Sequence, residues 1–218
     1  LGALTSRASP CPMSSAATVR SASGACVTPA HTTMLAAARM PAASQATGYD
    51  SDAILSKVKE ALLKVKSGEA AYERDSVLFH EKKYSYPLLA CLLRAAAANG
   101  GRLHVLDFGG SLGSSYYQNR CFLASLKQLK WSVVAQERFV ACGREYFQDH
   151  ELLFYGDIDE CLNRGKPDVL LLSGVLQYLQ NPAALLEYAG RLDFKHIIVD
   201  RTPFADVRED ILTVEIVP

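Results

Sequence analysis

The residues best suited to chemistry sit in one run, Val105-Leu106-Asp107-Phe108-Gly109-Gly110-Ser111-Leu112-Gly113-Ser114-Ser115. An apolar stretch ends in an acid, and glycines follow before a helical pattern opens. Gly109 and Gly110 let a backbone turn sharply and approach a ligand closely, because neither carries a Cβ. Gly113 permits tight contact between a strand and the helix after it, and free amides at a helix start can meet polar ligand atoms. Asp107, at the strand end, is placed to bind a cationic amino group. The spacing is not Gly-x-Gly-x-x-Gly, the fingerprint of dinucleotide sites. An ordinary glycine-rich turn is the plain alternative.

In an open parallel sheet, ligands bind beyond the carboxyl ends of the strands, near the switch in strand order. Polar residues at strand ends are therefore candidates, and those at strand starts are not. Gln136 and Glu137 close the second apolar run, where Glu137 reads equally as a solvated acid opening a helix. Asp157 and Asp159 follow the third, and Asp157 is also a good helix N-cap. Ser173, Gln177 and Tyr178 follow the fourth, where Tyr178 alternatively packs within a turn. Asp200 and Arg201 close the fifth. A carboxylate there can act as general base toward a hydroxyl or amine, and a guanidinium can hold an anionic group by a bidentate contact. An Asp200–Arg201 ion pair that only shapes the loop is the alternative. His104 and His196 open strands and so face the other edge. The sequence has no evident Ser-His-Asp set and no metal-ligand spacing.

These positions need a frame to bring them together. After Gly101, short apolar runs at 103–108, 131–136, 152–155, 169–173 and 196–200 alternate with amphipathic stretches at 117–129, 140–148, 158–162 and 183–191. The alternation means βαβ units, and unbroken apolar strands suit a sheet covered on both faces. The expected fold is α/β, a Rossmann-like doubly wound parallel sheet. Residues 211–217 alternate apolar with polar and read as the start of a sixth strand. Ahead of the sheet, Ile54, Val58, Ala61, Leu62 and Val65 recur at helical spacing, with Asp50 or Ser51 as cap and Gly68 as stop. A second helix follows Pro87 and halts at Asn99-Gly100-Gly101. Residues 49–100 thus read as a helical lead-in and 101–218 as the core.

The run DFGGSLGSSYYQNR, then VVAQERFV, PDVLLLSGVLQYL and IIVDRTPF, preceded by YERDSVLF and YPLLACLL, resembles a family of bacterial proteins classed as methyltransferases. The loop is similar to the Asp-x-Gly-x-Gly-x-Gly loop of class I methyltransferases, with Ser111 in the place of the middle glycine. The resemblance implies S-adenosylmethionine as cofactor, held by Asp107, Gly109, Gly110, Ser111, Gly113 and Ser173. It implies an acid after the second strand for two ribose hydroxyls, and Asp157 for the adenine amino group. Where the family reads Val-Val-Glu-Gln, this chain has Val133-Val134-Ala135-Gln136, so the ribose contact falls to Gln136 or Glu137. Gln177 and Tyr178 would orient the methyl acceptor, Asp200 would be its base, and Arg201 would bind an anionic group on it. Family members usually continue past Pro218, and a class I sheet carries more strands than the runs seen here. The resemblance therefore also implies a core incomplete at its C-terminus, with an uncovered sheet edge and a tendency to dimerise.

Composition sets the outer bounds. Of 218 residues, 49% are hydrophobic and 21% charged, which fits a soluble globular domain with extra segments. A formal net charge of zero argues against a general nucleic-acid binder, which needs a basic surplus. No apolar run reaches the roughly 18 residues of a membrane span. Cys11, Cys26, Cys91, Cys121, Cys142 and Cys161 include no CxxC pair, which argues against structural zinc and for reduced thiols in a cytoplasmic protein. Residues 1–48 differ from the rest: they are rich in Ala, Ser, Thr and Pro, they lack Asp and Glu, and their only charges are Arg7, Arg20 and Arg39. Such a segment reads as a disordered leader, with transit-peptide composition as the alternative.

Methyl transfer from a sulfonium asks a protein mainly to hold donor and acceptor in line, which suits a site with few acid–base groups. The expected function is S-adenosylmethionine-dependent methyl transfer to a small molecule or, from the family resemblance, a glycan sugar. A non-catalytic, methyltransferase-like nucleotide-binding or interaction module is the rival, favoured by Ala135. An enzyme using a nicotinamide cofactor or nucleotide sugar is a second rival, which the loop spacing disfavours.

Overall fold

The computed structural model describes residues 17–19, 52–81, 83–204 and 212–214. In chain order these form β1 (Ala17–Val19), α1 (Asp52–Ser67), β2 (Tyr72–Arg74), β3 (Val77–Phe79), α2 (Tyr86–Ala98), β4 (Arg102–Phe108), α3 (Ser114–Leu123), β5 (Gln128–Val134), α4 (Glu137–Tyr146), β6 (Leu152–Tyr155), α5 (Ile158–Arg164), β7 (Val169–Ser173), α6 (Pro182–Arg191), β8 (His196–Asp200) and β9 (Leu212–Val214). The described residues from Asp52 to Pro203 belong to one unit, and β1 and β9 to another.

The first unit is built on a five-stranded sheet in the order β6-β5-β4-β7-β8. Every pairing in it is parallel. Alternate side chains along each strand feed two cores. Val105, Trp131, Val133 and Leu171 pack with α1 to α4 on one face. Leu106, Val134, Leu170 and Leu172 pack with Ile158 and Cys161 of α5 and Ala189 of α6 on the other. Helices on both faces make the sheet doubly wound, as the alternating pattern requires. Among the described residues no helix is long and apolar enough to cross a membrane. Cys91, Cys121, Cys142 and Cys161 are free thiols.

The lead-in departs from the helical reading. Its helix runs to Ser67 and stops at Gly68, whose φ is +87°, but a hairpin follows: β2 pairs antiparallel with β3, Tyr72 opposite Phe79. The two turn residues, Asp75 and Ser76, both have positive φ, the geometry that matches hairpin twist. Three-residue strands and an Asp-Ser turn lacking glycine give little periodic signal.

Other boundaries also move, and the helix expected at 140–148 covers 137–146. The second sheet strand covers 128–134, not 131–136, and pairs along its whole length with β4, from Arg102 opposite Gln128 to Phe108 opposite Val134. The helix before it spans 114–123, not 117–129, because Leu126 and Leu129 continue the helical spacing while lying in a turn and in β5. The strand expected within 211–217 is present as β9. Its partner is β1, antiparallel, with Ala17 opposite Val214, so it adds nothing to the five-stranded sheet. The caps expected at Asp50 and Ser51, and the rest of the leader, lie outside the described residues.

Candidate functional site

The chain leaves β4 for β5 and β6 on one side, then returns through α5 to β7 on the other. The carboxyl ends of β4 and β7 therefore flank the switch in strand order, where a sheet of this kind forms its crevice. The glycine run sits there. Gly110 lies against the carboxyl of Asp107, and a Cβ on it would stand 2.5 Å from Asp107 Cγ. Gly109 lies as close to Val175 of the loop after β7, 2.6 Å from its Cγ2 on the same construction. Ser111, between Gly110 and Gly113, has φ +54°, a left-handed conformation that costs an L-residue energy. Gly113, also left-handed, caps α3.

Asp107 is buried, with 1% of its surface exposed. Its Oδ2 accepts a hydrogen bond from Trp131 Nε1 at 3.0 Å. Burial pushes the carboxyl up to about 6, opposed by the Trp131 bond and the positive charge of Arg201. The acid thus sits beneath the loop, joined to the neighbouring strand.

On the other side of the switch, Asp200 is held by two hydroxyls. Ser173 Oγ donates to Oδ2 at 3.0 Å, and Ser85 Oγ donates to Oδ1 at 3.2 Å. Arg201 Nε donates to Ser173 Oγ at 3.0 Å and stands 4.0 Å from Asp200 Oδ2. Arg201 is itself left-handed, φ +52°. Gln177 reaches the same loop, its Nε2 donating to the Arg201 carbonyl at 3.4 Å. Tyr178, at the end of the short helical turn Leu176–Tyr178, is 53% exposed.

Two residues of this cluster escaped the sequence reading. Ser85 precedes α2, and nothing in its neighbourhood marks it as polar and inward. Glu73, on β2, is 4% exposed. Ser114 Oγ, at the start of α3, donates to its Oε1, and the Ser76 N–H donates to Oε2 at 3.1 Å. Burial raises the Glu73 carboxyl, and those two bonds and the Arg201 charge oppose the rise. Its neighbours Arg74, Asp75 and Ser76 are charged or polar too, so the sequence does not set Glu73 apart.

The remaining candidates lie farther along the same sheet edge. Gln136 is the N-cap of α4 without a side-chain cap bond, and Glu137 is the first residue of that helix. Both are exposed. Asp157 caps α5, its Oδ1 accepting from the Glu160 N–H at 2.7 Å. Asp159 is taken by Tyr188, whose hydroxyl donates to it at 2.6 Å. Asp107, Ser173, Asp200, Arg201 and Gln177 thus come together around the switch, while Gln136, Glu137 and Asp157 follow the ends of β5 and β6.

Cavity volume alone points elsewhere. A cavity of about 300 Å³ is lined by Cys91, Arg94, Lys195, His196, Ile197 and Ile198. Another, of about 250 Å³, includes Asn99, Arg102, His104 and Asp168 in its lining. The second gathers at the amino ends of β4, β5 and β7, and the first lies along α2 and the start of β8. His104 there bonds Ser132 Oγ at 2.9 Å, and burial, with the charge of Lys130, pushes it down to about 4. Neither cavity borders the glycine loop. At the loop itself Val175 packs on Gly109, and the Arg201 guanidinium lies against Gly174.

No protein-family model matches the sequence, and no curated protein matches it. Solved structures similar to the chain include the plantazolicin methyltransferase BamL in complex with a triazolic desmethylPZN analog and SAH, at 12% identity and a TM-score of 0.36, over 49% of this chain and 40% of that one. The N-terminal domain of EvdMO1 with SAH and D-fucose is similar at 18% identity and TM-score 0.37, over 65% and 63%. The Podospora anserina methyltransferase PaMTH1 with SAH is similar at 14% identity and TM-score 0.37, over 81% and 73%. The chain spans 40% of the length of BamL and 30% of that of WbdD, another similar structure.

Proposed function

We propose that the chain is the donor-binding core of an S-adenosylmethionine-dependent methyltransferase that acts on a small-molecule or sugar acceptor. The observation that carries this reading is the loop at Gly109–Gly113. It lies at the switch in strand order, its glycines are required by contact with Asp107 and Val175, and Ser111 holds the left-handed geometry of the glycine it replaces. Its spacing differs from the dinucleotide fingerprint, which supports a nucleoside donor over a nicotinamide cofactor. The adenosine part would lie along the ends of β5 and β6, with Gln136 or Glu137 toward the ribose and Asp157 toward the base. The reacting methyl would face the end of β7, beside Ser173, Gln177 and Tyr178. Arg201 would hold an anionic group on the acceptor.

Asp200 would receive a proton where the acceptor must lose one. Ser85 and Ser173 hold its two oxygens, and so fix the carboxylate without supplying a counter-charge. Asp200→Asn is expected to lower the rate of methyl transfer by at least about 100-fold and leave donor affinity unchanged. A test uses labelled S-adenosylmethionine and a panel of small-molecule and sugar acceptors, with the donor dissociation constant measured in parallel. Donor binding lost together with rate would refute the division of roles.

A second reading, a module that binds nucleotide without catalysis, is favoured by one feature. The end of β5 carries Ala135 where an acid is expected, and its polar neighbours Gln136 and Glu137 are exposed. Binding of the donor with no transfer to any acceptor would support it.

A further inference from the structure

We propose that Glu73, from the hairpin ahead of the sheet, is a residue of the donor site: its carboxylate receives the ammonium of the donor's amino-acid part and so sets a preference for ligands that carry that part. The inference rests on the reading of the site given above and adds to it a residue outside the sheet. It also reassigns the ammonium contact, which the sequence places on Asp107.

The two acids border the same loop from different sides. Asp107 lies under it, covered by the Gly110 backbone and bound by Trp131. Both covers are fixed parts of the fold. Glu73 lies beside the loop's far end, bound by the hydroxyl of Ser114, the residue directly after Gly113. Its direct partners, that hydroxyl and the Ser76 N–H, are neutral donors. A carboxylate offers about four acceptor positions, so two donors leave it capacity for an ammonium. Burying an ionised acid against neutral groups alone is costly, and a cationic ligand group offsets that cost. The positive charge of Arg201 opposes the rise that burial causes at both Glu73 and Asp107.

A structural role is the competing explanation. Glu73 bonded to the first residue of α3 also ties the hairpin to the helix, and an acid suits a helix start. The two explanations separate by ligand. S-adenosylhomocysteine carries the amino-acid part, and 5′-methylthioadenosine lacks it. Both would be titrated into the full chain and into Glu73→Gln. If Glu73 meets the ammonium, the variant binds S-adenosylhomocysteine about tenfold or more weakly, and methylthioadenosine affinity is unchanged. Equal weakening of both means that Glu73 only ties the hairpin and overturns the inference, as does no change in either.

Wild-type protein that binds neither compound refutes the donor reading itself, a result distinct from the others. Should Glu73→Gln fail to fold, wild type is compared with S-adenosylhomocysteine and its α-deaminated analogue, where equal affinity overturns the inference. Ser114→Ala removes the tie but keeps the charge, and is expected to retain the preference for S-adenosylhomocysteine. Loss of that preference in Asp107→Asn, with its retention in Glu73→Gln, would return the ammonium to Asp107.

Discussion

Gly110→Ala tests the packing on which the site depends. A Cβ at Gly110 would stand 2.5 Å from both Cγ and Oδ2 of Asp107. Asp107 has no room to yield, since it is 1% exposed and bound to Trp131. Either the loop shifts or the carboxyl leaves its partner. Overpacking of this kind costs about 1–3 kcal/mol, and stranding the buried indole N–H costs about 1–3 kcal/mol. By either route the variant is expected to lose about 1–3 kcal/mol, against a total of about 5–15 kcal/mol for a typical domain. Urea denaturation followed by fluorescence suits the measurement, because Trp131 is the chain's one tryptophan and lies at the perturbed contact. Gly190→Ala is the control: nothing lies within 4 Å of its added Cβ, it sits in α6, and helix propensity predicts a gain of up to about 1 kcal/mol. Stability of Gly110→Ala within about 0.5 kcal/mol of wild type, with unchanged fluorescence, would refute the claim that the acid packs against the loop.

The same acid makes stability depend on pH. Its carboxyl is raised from 3.8 to about 6, so the folded state holds the proton more tightly than the unfolded state. The resulting stabilisation is fully present below 3.8 and is lost as pH rises through about 6, a change of about 3 kcal/mol. Asp107→Asn keeps an acceptor for Trp131 without the charge, and is expected to be more stable than wild type at neutral pH and to flatten the urea midpoint over that window. A profile unchanged by the substitution would contradict this. Ser111→Gly removes the cost of a left-handed L-residue, and a gain of about 1 kcal/mol is expected. Destabilisation would mean that the serine side chain contributes more than its backbone costs.

Much of the fold was legible because the sheet strands are short, apolar and separated by amphipathic stretches. Val169–Ser173 is buried throughout, and its run of Val and Leu says so. The hairpin of β2 and β3 was not legible, since three-residue strands carry almost no period. The end of α3 was misplaced because Leu123, Leu126 and Leu129 keep helical spacing through a turn and into a strand. For the site, strand polarity brought Asp107, Ser173, Gln177, Asp200 and Arg201 to the same edge of the sheet. It could not foresee that Trp131, three residues into its own strand, would take the Asp107 carboxyl. Nor could it foresee Ser85 and Glu73, which reach the site by tertiary packing from ahead of the sheet.

The most direct test of the central claim is calorimetric titration of the full chain with S-adenosylmethionine and with NAD, repeated on Gly110→Ala. The expected result is selective binding of S-adenosylmethionine by wild type and its loss in the variant. Binding of NAD in its place, or S-adenosylmethionine affinity untouched by Gly110→Ala, would contradict a donor site built on this loop.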